Sequence, residues 1–148
     1  MQLLQLTRLR LFEAFVHATS RPHAKEPAHL ITGRRGELAA FFYLRRQNYI
    51  VVARGWRTAR TPGDIDLIGW DGDTLCFVEV KTRTTRAVAT AEASVDDDKR
   101  RTLRRLARQY MRQLPDRKTQ ARFDILSIYF EKEKAGEFEL FRNAFDWS

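Results

Sequence analysis

The stretch from Gly63 to Arg83, GDIDLIGWDGDTLCFVEVKTR, constrains this chain more tightly than any other. It reads as two apolar runs joined at Asp71-Gly72, a dipeptide that favours a tight hairpin turn. Side chains on a strand alternate faces with a period of two. That period puts Asp64 with Asp66 and Glu79 with Lys81, while Ile65, Leu67, Val78 and Val80 point the other way. Closing the hairpin brings Asp66 and Glu79 together with an ammonium beside them. Two carboxylates can hold a hard cation such as Mg2+ through oxygen, and a neighbouring lysine can orient a water or stabilise phosphoryl charge. Acids also decorate the polar face of half-solvated hairpins, and Glu–Lys pairs are common on sheet surfaces. The surrounding letters DLI and FVEV instead suit strands covered on both sides in an α/β sheet. A charge there is costly unless it coordinates or pairs.

The helices and remaining strands follow from period and turn chemistry. Arg34 to Gln47 carries Leu38, Phe42 and Arg45 at helical spacing, with Glu37 in the first turn, where the helix dipole favours an acid. Tyr49 to Ala53 predicts a short strand, followed by a loop bearing Arg54, Arg57 and Arg60 as far as Pro62-Gly63. Asp96 to Gln113 predicts a second helix, on which Leu103, Leu106, Ala107, Tyr110 and Leu114 keep helical period. Ser94 with Asp97 forms a capping-box variant, and Asp96, Asp97 and Asp98 crowd the end that favours anions. The other faces carry Lys99, Arg100, Arg101, Arg104, Arg105, Arg108 and Arg112, a run that suits phosphate contact or a solvated face. Arg122 to Phe130 predicts a strand, EKEKAGE a turn, and Phe138 to Phe141 a further strand.

A chain of 148 residues supports one sizeable core. The net charge of +8, with 21 arginines among the 27 basic residues, points to a polyanionic partner, most often nucleic acid or an anionic membrane surface. Cys76 is the only cysteine, so no intramolecular disulfide can form; its apolar neighbours predict an inert buried thiol and a reducing cytoplasm. No run of 18 apolar residues is present, so no membrane span is expected. Leu4, Leu11, Phe12, Phe15 and Val16 form an apolar stripe on an N-terminal helix, with Thr19 to Ala28 as a Pro-containing linker. The expected division is a helix and linker over 1–28 and a nucleic-acid-binding domain over 29–148. An apolar stripe must bury itself somewhere, and the expectation is that this helix packs on protein and supports a homodimer. His17, His23 and His29 lack metal-ligand spacing, and Trp56, Trp70 and Trp147 are expected in core or rim packing.

Taken together, GRRGE (Gly33 to Glu37), GDIDLI and FVEVKTR resemble the PD-(D/E)XK nucleases, and within them the archaeal Holliday junction resolvases. Closer still is the bacterial YraN-like group, an uncharacterised protein family expected to be endonucleases. The likeness continues in ASVDDDKRRTLRRLARQYM (Ala93 to Met111), RFDILSI (Arg122 to Ile128) and NAF (Asn143 to Phe145). This resemblance implies a restriction-endonuclease-like αβββαβ core, a mixed central sheet flanked by helices, with the N-terminal helix as an addition. It implies a Mg2+- or Mn2+-dependent endonuclease acting on DNA, selective for structure rather than sequence. Asp66 and Glu79 would ligate the metal, with Glu37 completing the site, and Lys81 would act on the attacking water. Asp64 and Lys99 are accessory candidates. Arg54, Arg57, Arg60, Arg83, Lys99, Arg100, Arg101, Arg104, Arg105 and Arg108 would hold the nucleic-acid backbone. Two other classes stay open: a nucleic-acid-binding module with an idle site, and a docking protein that works through its N-terminal helix.

Overall fold

The computed structural model describes residues 28–83, 95–130 and 136–148, with side chains from residue 33 onward in the first segment. The chain divides into two compact units, Met1–Ile31 and Thr32–Ser148. The expected N-terminal helix and its apolar stripe, the linker before Ala28, Ser94, and His17 and His23 lie outside the described residues.

Helix α1 spans Ala28–Arg46, beginning at Ala28 rather than Arg34. It ends where Asn48 takes a left-handed φ of 67°. There Tyr49 N–H donates to Leu44 O and Asn48 N–H to Arg45 O, closing a Schellman motif that satisfies the last carbonyls. Helix α2 spans Asp97–Met111. Its N-cap is Asp96, not Ser94: the Asp96 carboxylate accepts the Lys99 N–H at 2.8 Å, the bond an N-cap side chain makes to the third helical amide.

Five strands, β1 (Ile50–Thr58), β2 (Thr61–Asp71), β3 (Thr74–Arg83), β4 (Ala121–Tyr129) and β5 (Glu137–Phe145), form one sheet in chain order. Only the β3–β4 pair is parallel, the crossover being made through α2, so the sheet is mixed. Ala40 and Leu44 of α1 pack with Leu67, Cys76, Val78, Leu126 and Ile128 on one face. Leu103, Leu106 and Ala107 of α2 pack with Ile68, Leu75, Phe77, Phe123 and Ile125 on the other. The architecture is therefore α/β, helices on both faces of a mixed sheet, as a restriction-endonuclease-like core requires. Trp56, Trp70 and Trp147 all pack against the α2-side core. Cys76 is buried, and desolvation followed by the nearby Asp124 pushes its thiol up to about 12.

Three expectations are corrected. The arginine loop is not a loop: Arg54 and Arg57 lie on β1, Arg60 in the turn, and Pro62-Gly63 already in β2. Strand β5 runs past Phe141 to Phe145, through a register shift near Asn143, whose φ is 52°. Ile65 does not share a face with Leu67. Arg54 pairs with Leu67 and Trp56 with Ile65, yet Leu67 packs under α1 while Trp56 and Ile65 pack under α2. Between them Gly55, with φ 53°, breaks the alternation, a backbone state that glycine adopts without a Cβ penalty. Asp66 stands across from this break.

At the turn end of the sheet a buried polar network ties three strands, β2, β4 and β5, to Tyr49, the residue just before β1. Asp124, fully buried, accepts from Tyr49 Oη at 3.2 Å, Arg122 Nε at 2.9 Å and Asn143 N at 2.9 Å. Arg122 also donates to Asp71 at 2.6 Å and to Tyr49 Oη at 2.9 Å, and Arg142 Nε donates to the same hydroxyl at 3.2 Å. The Asn143 bond holds the bulge that lets β5 continue. Asp124→Ala leaves Arg122 partly buried without its main partner and should destabilise the fold by about 3–5 kcal/mol. Urea unfolding measures this, and a loss below about 1 kcal/mol would show the network to be dispensable.

Candidate active site

The two acidic strands diverge at the site. The β2–β3 ladder runs from Asp71↔Thr74 to Leu67↔Val78. One step beyond, the Val80 N–H donates at 2.8 Å to the Asp66 carboxylate. A side chain thus takes the place of a ladder carbonyl, which holds the Asp66 carboxylate against β3 next to Glu79. Glu79 is only 4 % exposed. Its Oε1 lies 3.1 Å from Lys81 Nζ, and its Oε2 lies 3.3 Å from Lys99 Nζ of α2. The second pair is a charge contact poorly aligned for a hydrogen bond, so Oε2 is a buried acceptor without a well-directed donor.

Glu37 reaches the same region from α1 because of the residue before it. A Cβ on Gly36 would collide with the Thr82 hydroxyl, so only glycine lets α1 approach β3 beside Lys81. In the sequence Gly36 is one letter of a motif; its contact with Thr82 is 46 residues away in the chain and leaves no local signal. Burial raises the Glu37 pKa, the Asp64 and Glu79 charges raise it further, and Arg54 and Arg34 oppose them. Burial, followed by the charge of Glu79, pushes Asp66 up to about 7 against the lowering effect of the Val80 N–H. Burial works against the Lys99 charge, but Glu79, Asp66 and Asp64 together hold its pKa above the ordinary value. Four carboxylates from three elements therefore sense one another. Among the described residues, no three His, Cys, Asp or Glu side chains gather closely enough to form a ready ligand set.

The basic residues expected to hold nucleic acid divide into groups. Arg57, on β1, pairs with Asp64 at 3.1 Å, and Arg54 lies over the Phe41 ring at 5.2 Å. Arg60 is exposed in the turn, and Arg83 ends β3 two residues past Lys81. On α2, Lys99 turns to Glu79, whereas Arg104 and Arg108 turn to the C-terminal segment. Arg104 donates to Asp146 O at 2.9 Å and Arg108 to Trp147 O at 2.9 Å, while Arg100 and Arg104 lie over the Phe145 ring. Arg101 pairs with exposed Asp98 at 3.2 Å, and Arg105 is exposed. With Arg104, Arg108 and Trp147, these two line an open cavity of about 460 Å3.

The raised Asp66 pKa has a consequence for stability. A carboxyl whose folded value lies above its ordinary 3.8 costs stability when ionised, so the penalty is absent below about pH 4 and complete above about 7. In EDTA, Asp66→Asn should melt a few degrees above wild type at pH 8, a gap that closes toward pH 4. Melting curves at the two pH values check this; a lower midpoint for the variant at pH 8 would refute it.

The model of the family described as "Uncharacterised protein family UPF0102" matches residues 36–128, a span holding Glu37, Asp64, Asp66, Glu79, Lys81 and Lys99. A UPF0102 protein of Koribacter versatilis is 50% identical over 137 residues, 93% of this chain and 91% of that protein. A UPF0102 protein of Solibacter usitatus is 44% identical over 113 residues, 76% of this chain and 84% of its own length. One from Desulfosudis oleivorans is 39% identical over 114 residues, 77% and 89% of the two chains. By the family match over residues 36–128 and the identity to these relatives, the chain belongs to uncharacterised protein family UPF0102.

Proposed function

We propose that this protein is a metal-dependent endonuclease that hydrolyses phosphodiester bonds in DNA and selects its substrate by structure rather than sequence. The observation that carries this reading is the pairing of Asp66 with Glu79 where β2 and β3 part, with two ammonium groups on the buried Glu79. Clustering carboxylates in a largely buried place costs stability, and such clusters mark working sites more often than structural ones. The donor set is all oxygen, and no well-aligned hydrogen bond reaches the buried Glu79 Oε2, which fits a hard divalent cation. A bound Mg2+ or Mn2+ would polarise the scissile phosphate and neutralise charge on it. Asp66 and Glu79 would hold the ion and Glu37 would complete the acidic rim. Lys81, beside Glu79 and partly exposed, would position the attacking water or draw off its proton. Arg54, Arg57 and Arg60 on the β1–β2 side, and Arg101 and Arg105 on α2, would hold phosphates without reading bases. The resemblance to junction resolvases supports branched or otherwise distorted DNA as substrate.

The deciding experiment incubates purified protein and Mn2+ or Mg2+ with linear, single-stranded, flapped and four-way DNA. Cleavage of a branched form in preference to linear duplex is the expected result. Absence of cleavage on every form, with Mn2+ shown to bind, would favour a DNA-binding module with an idle site.

Asp66→Asn and Glu79→Gln should each abolish cleavage while leaving DNA affinity largely intact, because each removes a ligand charge at nearly constant shape. Lys81→Ala should lower turnover on the order of 100-fold with Mn2+ affinity preserved, since the ammonium is no ligand. Near wild-type cleavage by either carboxylate variant refutes the assignment.

The DNA contacts can be tested separately. Replacing Arg101 and Arg105 by glutamine spares the Arg104 and Arg108 ties to the C-terminal segment. The slope of log affinity against log salt should flatten by about 0.9 for each phosphate that is no longer neutralised. An unchanged slope would move the binding surface to Arg54, Arg57 and Arg60.

A further inference from the structure

Lys99 sits where helix electrostatics disfavour it. It is the third residue of α2 after the Asp96 N-cap. At that position a helix favours an acid, which answers the positive end of the dipole and can complete a capping box. Here a lysine stands there instead, and its backbone N–H is already taken by Asp96 at 2.8 Å. A local rule broken without local gain points to a gain elsewhere, and the side chain shows where. Lys99 Nζ lies 3.3 Å from Glu79 Oε2, the buried oxygen that has no aligned hydrogen bond. The other Glu79 oxygen faces Lys81, a neighbour on the same strand and face.

The two ammonium groups are not equivalent. Lys81 is carried by β3 itself, two residues from Glu79, and stays beside that carboxylate whatever α2 does. Lys99 reaches the site from a different element on a flexible four-carbon stem, and it is 28 % exposed, so it has a route to water. Its contact is the longer of the two and lacks an aligned hydrogen bond.

We infer that Lys99 is a built-in stand-in cation, which balances Glu79 in the metal-free protein and withdraws from Glu79 Oε2 when a divalent ion takes that oxygen. The inference rests on the metal-site reading proposed above and adds a regulation to it. The site keeps its buried carboxylate neutralised without metal, and the ammonium sets a threshold concentration that the ion must exceed. Once displaced, the Lys99 ammonium stands at the edge of the site, where it can meet a phosphate.

Lys99→Met, close in shape and uncharged, tests this through stability and metal uptake without any activity assay. In EDTA the variant should melt several degrees below wild type, because Glu79 loses one of its two cations. Its affinity for Mn2+ by calorimetry should rise about tenfold, since no ammonium competes for the oxygen. Saturating Mn2+ should return its melting point to that of loaded wild type. Lys99→Arg, which keeps the charge, should restore the metal-free melting point and the weaker affinity. An unchanged Mn2+ affinity in Lys99→Met, with wild type binding the ion, overturns the inference and leaves the metal-site reading standing. No Mn2+ uptake by either protein overturns both.

Discussion

A carboxylate buried in an interior strand must be answered by positive charge, because desolvating an unpaired ion costs several kcal/mol. Glu79 sets that condition at 4 % exposure in β3. One answer, Lys81, comes from the same strand; the other, Lys99, requires α2 to begin directly over the site. That beginning is secured by the Asp96 cap, while Leu103, Leu106 and Ala107 bury the helix farther along. The packing of α2 on the sheet and the charge balance of Glu79 are thus one requirement seen from two sides.

The two ends of the sheet handle buried charge in opposite ways. Around Asp124 the hydrogen-bond partners are donors: a guanidinium, a phenol and a backbone amide meet one carboxylate, and a second carboxylate, Asp71, takes up Arg122 from outside. A network so well satisfied holds strands in register. Around Glu79 the balance is reversed: Asp66, Glu37 and Asp64 add negative charge, and burial raises the pKa of both Asp66 and Glu37. A surplus of carboxylate carries a stability cost, and it is this surplus on which the proposed function rests.

The cationic face of α2 shows how a charge run can serve two tasks. Arg104 and Arg108 anchor the C-terminal segment through Asp146 and Trp147 carbonyls, and that segment completes the core: Trp147 donates its indole N–H to Ala121 O and packs on Phe123 at 4.6 Å. Arg101 and Arg105, a turn apart on the outer face, remain directed to solvent. Repeated arginine spacing therefore overstates the surface open to a polyanion, since half of this set is engaged in the fold.

The sequence by itself determined the parts whose physics is local. The turn at Asp71-Gly72, the apolar runs of β2 and β3, the helical periods of α1 and α2, and the placing of Asp66 near Glu79 all follow from period and turn chemistry over a few residues. Tertiary structure alone decided the rest. Gly55, in a left-handed state on β1, lies opposite the point where Ile65 and Leu67 part to different faces, which simple alternation cannot foresee. Gly36 brings α1 onto Thr82, Asp124 sustains the bulge that extends β5, and Lys99 meets Glu79 across 20 residues. Each joins residues far apart in the chain, and such contacts exist only once burial has closed the sheet between its helices.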